Sequence, residues 1–147
     1  MIPLNLWEHQ NTIKTLYSKC VSGICIKYNL TRMELDILLF LSNNPHFDTA
    51  TDIVEIRYLS KSQVSSSVKL LVRRGFIKKE YSKDNHKTAH LKICDTASSI
   101  IADGRAAQEK FIAIMLKNFT QAEIDCIKQH TNRICQNIDN YLKEDIK

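Results

Sequence analysis

The stretch Leu59–Lys79, LSKSQVSSSVKLLVRRGFIKK, constrains the fold more than any other. Val64, Val68 and Leu71 recur at i, i+4 and i+7, the spacing of one helical face. Leu70 and Val72 stand beside them and are expected to face inward too. Gly75 should end this helix, because glycine tolerates the left-handed conformation that closes a last turn. Ser62, Ser65, Ser66 and Ser67 crowd one six-residue window. Serine competes with the helical backbone for hydrogen bonds. A helix exposing all four, followed by Lys69, Arg73 and Arg74, is therefore built for something other than its own stability. A merely solvated helix would carry Glu and Lys, the better helix formers.

The remainder of the chain reads as helices around this segment. Three glycines and two prolines in 147 residues leave few turns, and a 44% apolar content is enough for a buried core. Thr31–Glu34 and Thr120–Glu123 have the spacing of capping boxes, and Ser60–Gln63 is the same device with Gln. Thr49 and Asp95 are further N-cap candidates. A first helix is expected over about 6–28, with Ile13, Leu16, Tyr17, Cys20, Ile24 and Tyr28 as its apolar stripe. A second follows Thr31 and is apolar almost all round through Leu35–Leu41, so it should lie centrally. It should stop at SNNPHFD. A short helix near 49–57 comes next. After Gly75, FIKKEY can pair back across SKDNHK with the alternating run Ala89, Leu91, Ile93. Two long helices, roughly 95–118 and 120–142, finish the chain. The last carries Ile124, Ile127, Thr131, Ile134, Ile138 and Tyr141 at a 3–4 spacing suited to packing on another helix.

Short helix, tight turn at Arg57-Tyr58-Leu59, second helix and basic hairpin make a winged helix-turn-helix. Charge points the same way. Residues 57–92 hold ten Lys and Arg against Glu80 and Asp84, a net +8, while the rest of the chain is −3. So concentrated an excess suits a polyanion. Small hydroxyls let a helix backbone approach the DNA major groove and donate to phosphates or base edges. Gln63 can read a base edge, adenine by preference. Lys61, Lys69 and Arg73 would neutralise phosphates.

LSKSQVSSSVKLLVRRGFIKK, LTRMELDILLFLSNNP and FTQAEIDCIKQHTNRI together resemble the MarR family of bacterial winged helix regulators, over nearly the whole chain. The resemblance implies a mainly α fold with a small β-hairpin wing. Residues 31–94 would form the DNA-binding domain, and 1–30 with 95–147 the dimerisation helices. It implies a homodimer on a roughly palindromic double-stranded operator, a repressor released by a small molecule or by cysteine oxidation. By family position Lys61, Ser62, Gln63, Ser65, Ser66 and Lys69 would meet the major groove; Arg73 joins the recognition-helix residues by its charge, and Lys83, Asn85, His86 and Lys87 are the wing candidates. Family wings usually carry Asp-x-Arg where this chain has Asn85, His86 and Lys87. Lysine, more strongly hydrated, fits a narrow minor groove less well than arginine, so the wing contact is expected to be weaker or mainly to phosphate. Relatives also often have Gly where the turn has Tyr58. An effector pocket is expected between the dimer layer and the winged domain, with Tyr17, Tyr28 and Phe47 as possible lining and the core as their alternative place.

Other chemistries find less support. There is no glycine-rich phosphate loop, no Gly-x-Ser-x-Gly and no His-Glu-x-x-His, so no enzyme is expected. Cys126 and His130 are four apart on one helix, but without further ligands nearby they read as a small core residue and a surface one, and no metal or cofactor is expected. Five well-separated cysteines read as thiols of a reducing cytosol. Cys20 belongs to the apolar stripe, whereas Cys25 and Cys94 stay open as redox candidates. Nothing resembles a signal peptide at the MIPLNLWEHQ start, and no apolar run is long enough for a membrane span. A cytoplasmic protein is expected. The competing function is a winged helix used for protein association, its basic face against an acidic partner.

Overall fold

The computed structural model describes residues 5–145, without the side chain of Leu6. The Met1–Leu4 start, part of the signal-peptide reading, lies outside them. The elements are α1 (Leu6–Tyr28), α2 (Arg32–Asn43), α3 (Ala50–Arg57), α4 (Lys61–Arg73), β1 (Ile77–Glu80), β2 (His90–Ile93), a 3-10 turn (Asp95–Ala97), α5 (Ser98–Met115) and α6 (Gln121–Glu144). They form two compact units, one running to Phe111 and the other from Ile112 onward.

In the first unit α2 is the central element, as its apolar run demands. Leu35, Ile37, Leu38 and Leu39 are almost wholly buried, with Ile53 of α3, Val64 and Leu71 of α4, Ile77 of β1, Ile100 of α5 and Val21 of α1. Each such side chain contributes roughly 1.5–3 kcal/mol by leaving water. Glu34 is buried too, and stays satisfied through a capping box: Thr31 Oγ1 accepts the Glu34 N–H at 3.1 Å and Glu34 Oε2 accepts the Thr31 N–H at 2.7 Å. Thr49 and Asp52 build the same box on α3, at 3.1 and 3.0 Å. Ser60 makes only half of one. It accepts the Gln63 N–H at 3.2 Å, and the Gln63 side chain does not return the bond. Asp95 is not an N-cap. It begins the 3-10 turn, whose cap is Cys94, and α5 starts three residues later than the sequence suggests.

Four left-handed residues shape the turns, one of them Asn118 (φ 67°) between α5 and α6. Gly75 (φ 76°) ends α4, with the Phe76 N–H reaching back to the Leu71 carbonyl and the Gly75 N–H to that of Val72. Asn29 (φ 50°) closes α1 in the same manner. Tyr58 (φ 51°) does so between α3 and α4, which explains why glycine would suit that position. The hairpin is antiparallel, pairing Ile77 with Ile93, Lys78 with Lys92, Lys79 with Leu91 and Glu80 with His90. Ala89 precedes the strand rather than belonging to it.

In the second unit, α6 opens on a third capping box, Thr120 with Glu123, and contains no buried residue. Its stripe is uncovered within one chain: Ile127, Ile134, Ile138 and Tyr141 are 42–64% exposed. Among the described residues, no helix is long and apolar enough to cross a membrane.

Candidate nucleic-acid interface

The periodicity of α4 sorts its side chains into two roles. Val64, Ser67, Val68 and Leu71 are buried, while Lys61, Ser62, Gln63, Ser65, Ser66, Lys69 and Arg73 are all outside that buried row. Every recognition-helix residue expected from the sequence is thus on the outer surface of one helix. Two expectations about its neighbours fail. Ser67, expected outside, is 9% exposed, because it lies one turn after Val64 on the core row. Leu70, expected inside, is 41% exposed, because it lies four residues after Ser66 and seven after Gln63 on the outer face. Leu70 therefore stands on the outer face beside the serines and lysines.

The cations divide as well. Arg74 is withdrawn from this face. Its guanidinium donates to the carbonyls of Tyr28 and Asn29 at 2.7 Å each and covers the Phe76 ring, tying the end of α4 to the end of α1. Arg57 lies 4.0 Å from Asp36, and Lys78 pairs with Glu80 at 3.0 Å. Among the described residues, Lys61, Lys69, Arg73, Lys79, Lys83 and Lys87 make no ion pair and are exposed, so their charge is open to a polyanion.

At the wing tip, Lys83, Asn85, His86 and Lys87 are all exposed. Asn85 is also the staple of the loop. Its Oδ1 accepts the Lys87 N–H at 3.0 Å, its Nδ2 donates to Thr88 Oγ1 at 3.1 Å, and its own N–H donates to Ser82 Oγ at 3.1 Å. Its side chain therefore shapes the tip that presents His86 and Lys87. At the wing's base, Asp48 Oδ1 accepts from His90 Nδ1 at 2.7 Å and Oδ2 from Lys92 Nζ at 2.9 Å. Burial would raise the Asp48 carboxyl, but the bonds from His90 and Lys92 and the lysine charge outweigh it, and the result is a lowered pKa. Lys92 is raised in turn by its bond to Asp48. Sequence reading gave Asp48 no role.

A cavity of about 300 Å³ lies between α3, α4 and the hairpin, floored by Val54, Val64, Val68 and Leu91, with Lys61 and Ser65 at its edge. Tyr17 and Tyr28 are instead engaged in packing. Tyr17 meets Phe111 edge-on at 5.1 Å and lies under Arg32, and the Tyr28 hydroxyl donates to Asp103 at 2.8 Å. Phe47 is 46% exposed. Cys126 is exposed rather than in a core, with its Sγ 3.4 Å from His130 Nδ1. Burial, first among several influences, pushes the Cys25 thiol up, away from the thiolate that peroxide attack needs.

An exposed hydroxyl, amide and lysine helix beside a basic hairpin defines a winged helix-turn-helix protein. Residues 28–87 match the family model described as MarR family. The whole chain shares its fold with solved structures at low identity. A Listeria monocytogenes protein described as a MarR family transcriptional regulator, solved in complex with 26mer DNA, is 23% identical with a TM-score of 0.83, covering 97% of this chain and 93% of its own. A MarR protein from Peptoclostridium difficile is 15% identical with a TM-score of 0.79, covering 96% and 92%. A MarR family protein from Bacillus stearothermophilus is 18% identical with a TM-score of 0.69, covering 92% and 94%. No curated protein sequence matches the chain.

Proposed function

We propose that the chain is a sequence-specific double-stranded DNA-binding transcriptional regulator that acts as a homodimer and represses until a small molecule releases it. The observation that carries this reading is the outer face of α4, where Lys61, Ser62, Gln63, Ser65, Ser66 and Lys69 stand exposed together on one helix. A surface of that chemistry suits a major groove, with lysines for phosphates and Gln63 for a base edge. The Listeria structure in complex with DNA supports the same use of the fold. Dimerisation is supported by the uncovered isoleucine stripe of α6, whose exposed apolar side chains suit burial against a second helix. Two α4 helices in a dimer would address half-sites about 34 Å apart. Release by a small molecule is supported by the cavity, because an occupant would share Lys61 and Ser65 with the DNA face.

A gel-shift series on the duplex upstream of the chain's own gene, run across salt against a scrambled duplex of equal length, tests the reading. A preference for the natural duplex, falling steeply with salt, is the expected result. Equal binding of both duplexes, or none, would leave the basic face to an acidic protein partner.

A further inference from the structure

Asp48 is out of place by charge. It lies outside the +8 segment in sequence, yet the fold brings its carboxylate onto the wing. A protein that binds a polyanion gains nothing electrostatically from an acid there. Its geometry gives the reason. One residue grips three consecutive positions of β2: its carboxylate holds His90 and Lys92, and between them its carbonyl accepts the Leu91 N–H at 2.7 Å. Asp48 immediately precedes Thr49, the N-cap of α3, and α3 packs on the recognition helix α4. The base of the wing is therefore fastened to the frame that holds α4. The register shows why a charge is used. Lys78 and Lys92 stand directly opposite each other, a repulsive cross-strand pair. Glu80 neutralises Lys78, and Asp48 neutralises Lys92.

We propose that Asp48 is a positioning residue for DNA reading: it fixes the angle of the wing to α4, giving up favourable charge to secure the geometry on which sequence preference depends. The proposal rests on the DNA-binding reading above. It makes a prediction of opposite sign from simple electrostatics. Asp48→Asn keeps the size of the side chain, removes a negative charge and frees Lys92. Charge alone would then tighten binding to every duplex. Lost positioning would weaken only the preferred one.

The test measures binding of wild type, Asp48→Asn and His90→Ala to the natural upstream duplex and to its scrambled counterpart across salt. Asp48→Asn is expected to hold or improve affinity for the scrambled duplex, with a salt slope steeper by about one unit per subunit. Its affinity for the natural duplex should fall at least about fivefold, the low end of one base-level mismatch. Asp48→Glu, which restores the charge, should recover part of the preference. His90→Ala removes one grip without touching a carboxylate or an ammonium, and should lower the natural-to-scrambled ratio while leaving the scrambled affinity and its slope unchanged. His90→Ala also decides the matter should Asp48→Asn fail to fold. If both affinities rise together in Asp48→Asn, or if the ratio is unchanged in His90→Ala, the positioning role is wrong while the DNA-binding reading stands. A wild-type ratio of one overturns both.

Discussion

Replacing Gly104 should destabilise the fold for a reason specific to one contact. A Cβ built at this position lies 2.5 Å from Leu39 Cδ2 and 3.1 Å from Leu39 Cδ1, and Leu39 is 2% exposed. At Gly104, α5 lies directly against the Leu39 side chain of the central helix. Glycine inside a helix ordinarily costs about 0.8–1.0 kcal/mol relative to alanine, so Gly104→Ala on an open face would stabilise. Here the added methyl must push a packed leucine off its rotamer or move a helix, and overpacking of that kind costs roughly 1–3 kcal/mol. The difference is a net destabilisation of about 1 kcal/mol, with a melting temperature lower by about 3 °C in a chain of this length. Thermal and urea unfolding, compared at one protein concentration, measure it. The cycle with Leu39→Ala makes the argument sharp. Leu39→Ala alone should cost about 2–5 kcal/mol. In that background the methyl that Gly104→Ala adds enters vacated space, and the substitution should change sign and stabilise. If Gly104→Ala stabilises the protein with Leu39 intact, the close approach between α5 and α2 is not the reason for this glycine.

Further expectations concern the DNA face, the acid limb and the helix stripe. Gln63→Ala should relax preference at one base position by about 1–3 kcal/mol, read by binding to a set of single-substituted duplexes. Lys69→Ala should weaken binding to all duplexes alike and shallow the salt slope by about one unit. The Asp48 carboxyl is lowered in the fold, so its contribution to stability is complete above the unfolded value of about 4 and is lost as pH falls through the folded value. Asp48→Asn should therefore flatten the acid limb of a stability–pH curve. Lys92 is raised, so its contribution is complete below about 10.4 and fades as pH rises through its folded value, and Asp48→Asn should remove that alkaline dependence as well. Ile134 is 58% exposed in the single chain. Ile134→Glu should leave the helical content intact while shifting sedimentation from dimer towards monomer.

Helix periodicity made most of this architecture legible. Where a helix buries one stripe, the apolar spacing identified both the element and its inner face, as with Val64, Val68 and Leu71. Paired caps located the starts of α2 and α6 within a residue. The residues misjudged on α4 are those whose side-chain chemistry disagrees with their angular position. Ser67 is polar but falls on the core row of α4, and Leu70 is apolar but falls on the outer row. Residue type misled there, while angle about the helix axis would have placed both. Arg74 and Asp48 were beyond local reading for a different reason. Their partners are 45 and 46 residues away for Arg74, and 42 and 44 for Asp48. No spacing rule reaches across such separations.

That difference in range bears on how the surface works. The α4 face is local: thirteen consecutive residues carry it, and any stable helix of that sequence would display it. A face that reads base edges selects a DNA sequence more sharply when it is held at a fixed angle to a second contact. The long-range partners supply the angle. Arg74 joins the end of α4 to the end of α1, and Asp48 joins the frame of α3 to the base of the wing. Affinity should then follow the local lysines and hydroxyls, while the preference that Gln63 reads depends also on the distant ties. Lys69→Ala and His90→Ala separate the two directly. The first should lower natural and scrambled binding by the same factor, and the second should lower only the natural. If His90→Ala instead lowers both equally, preference resides in α4 alone, and the wing adds no more than charge.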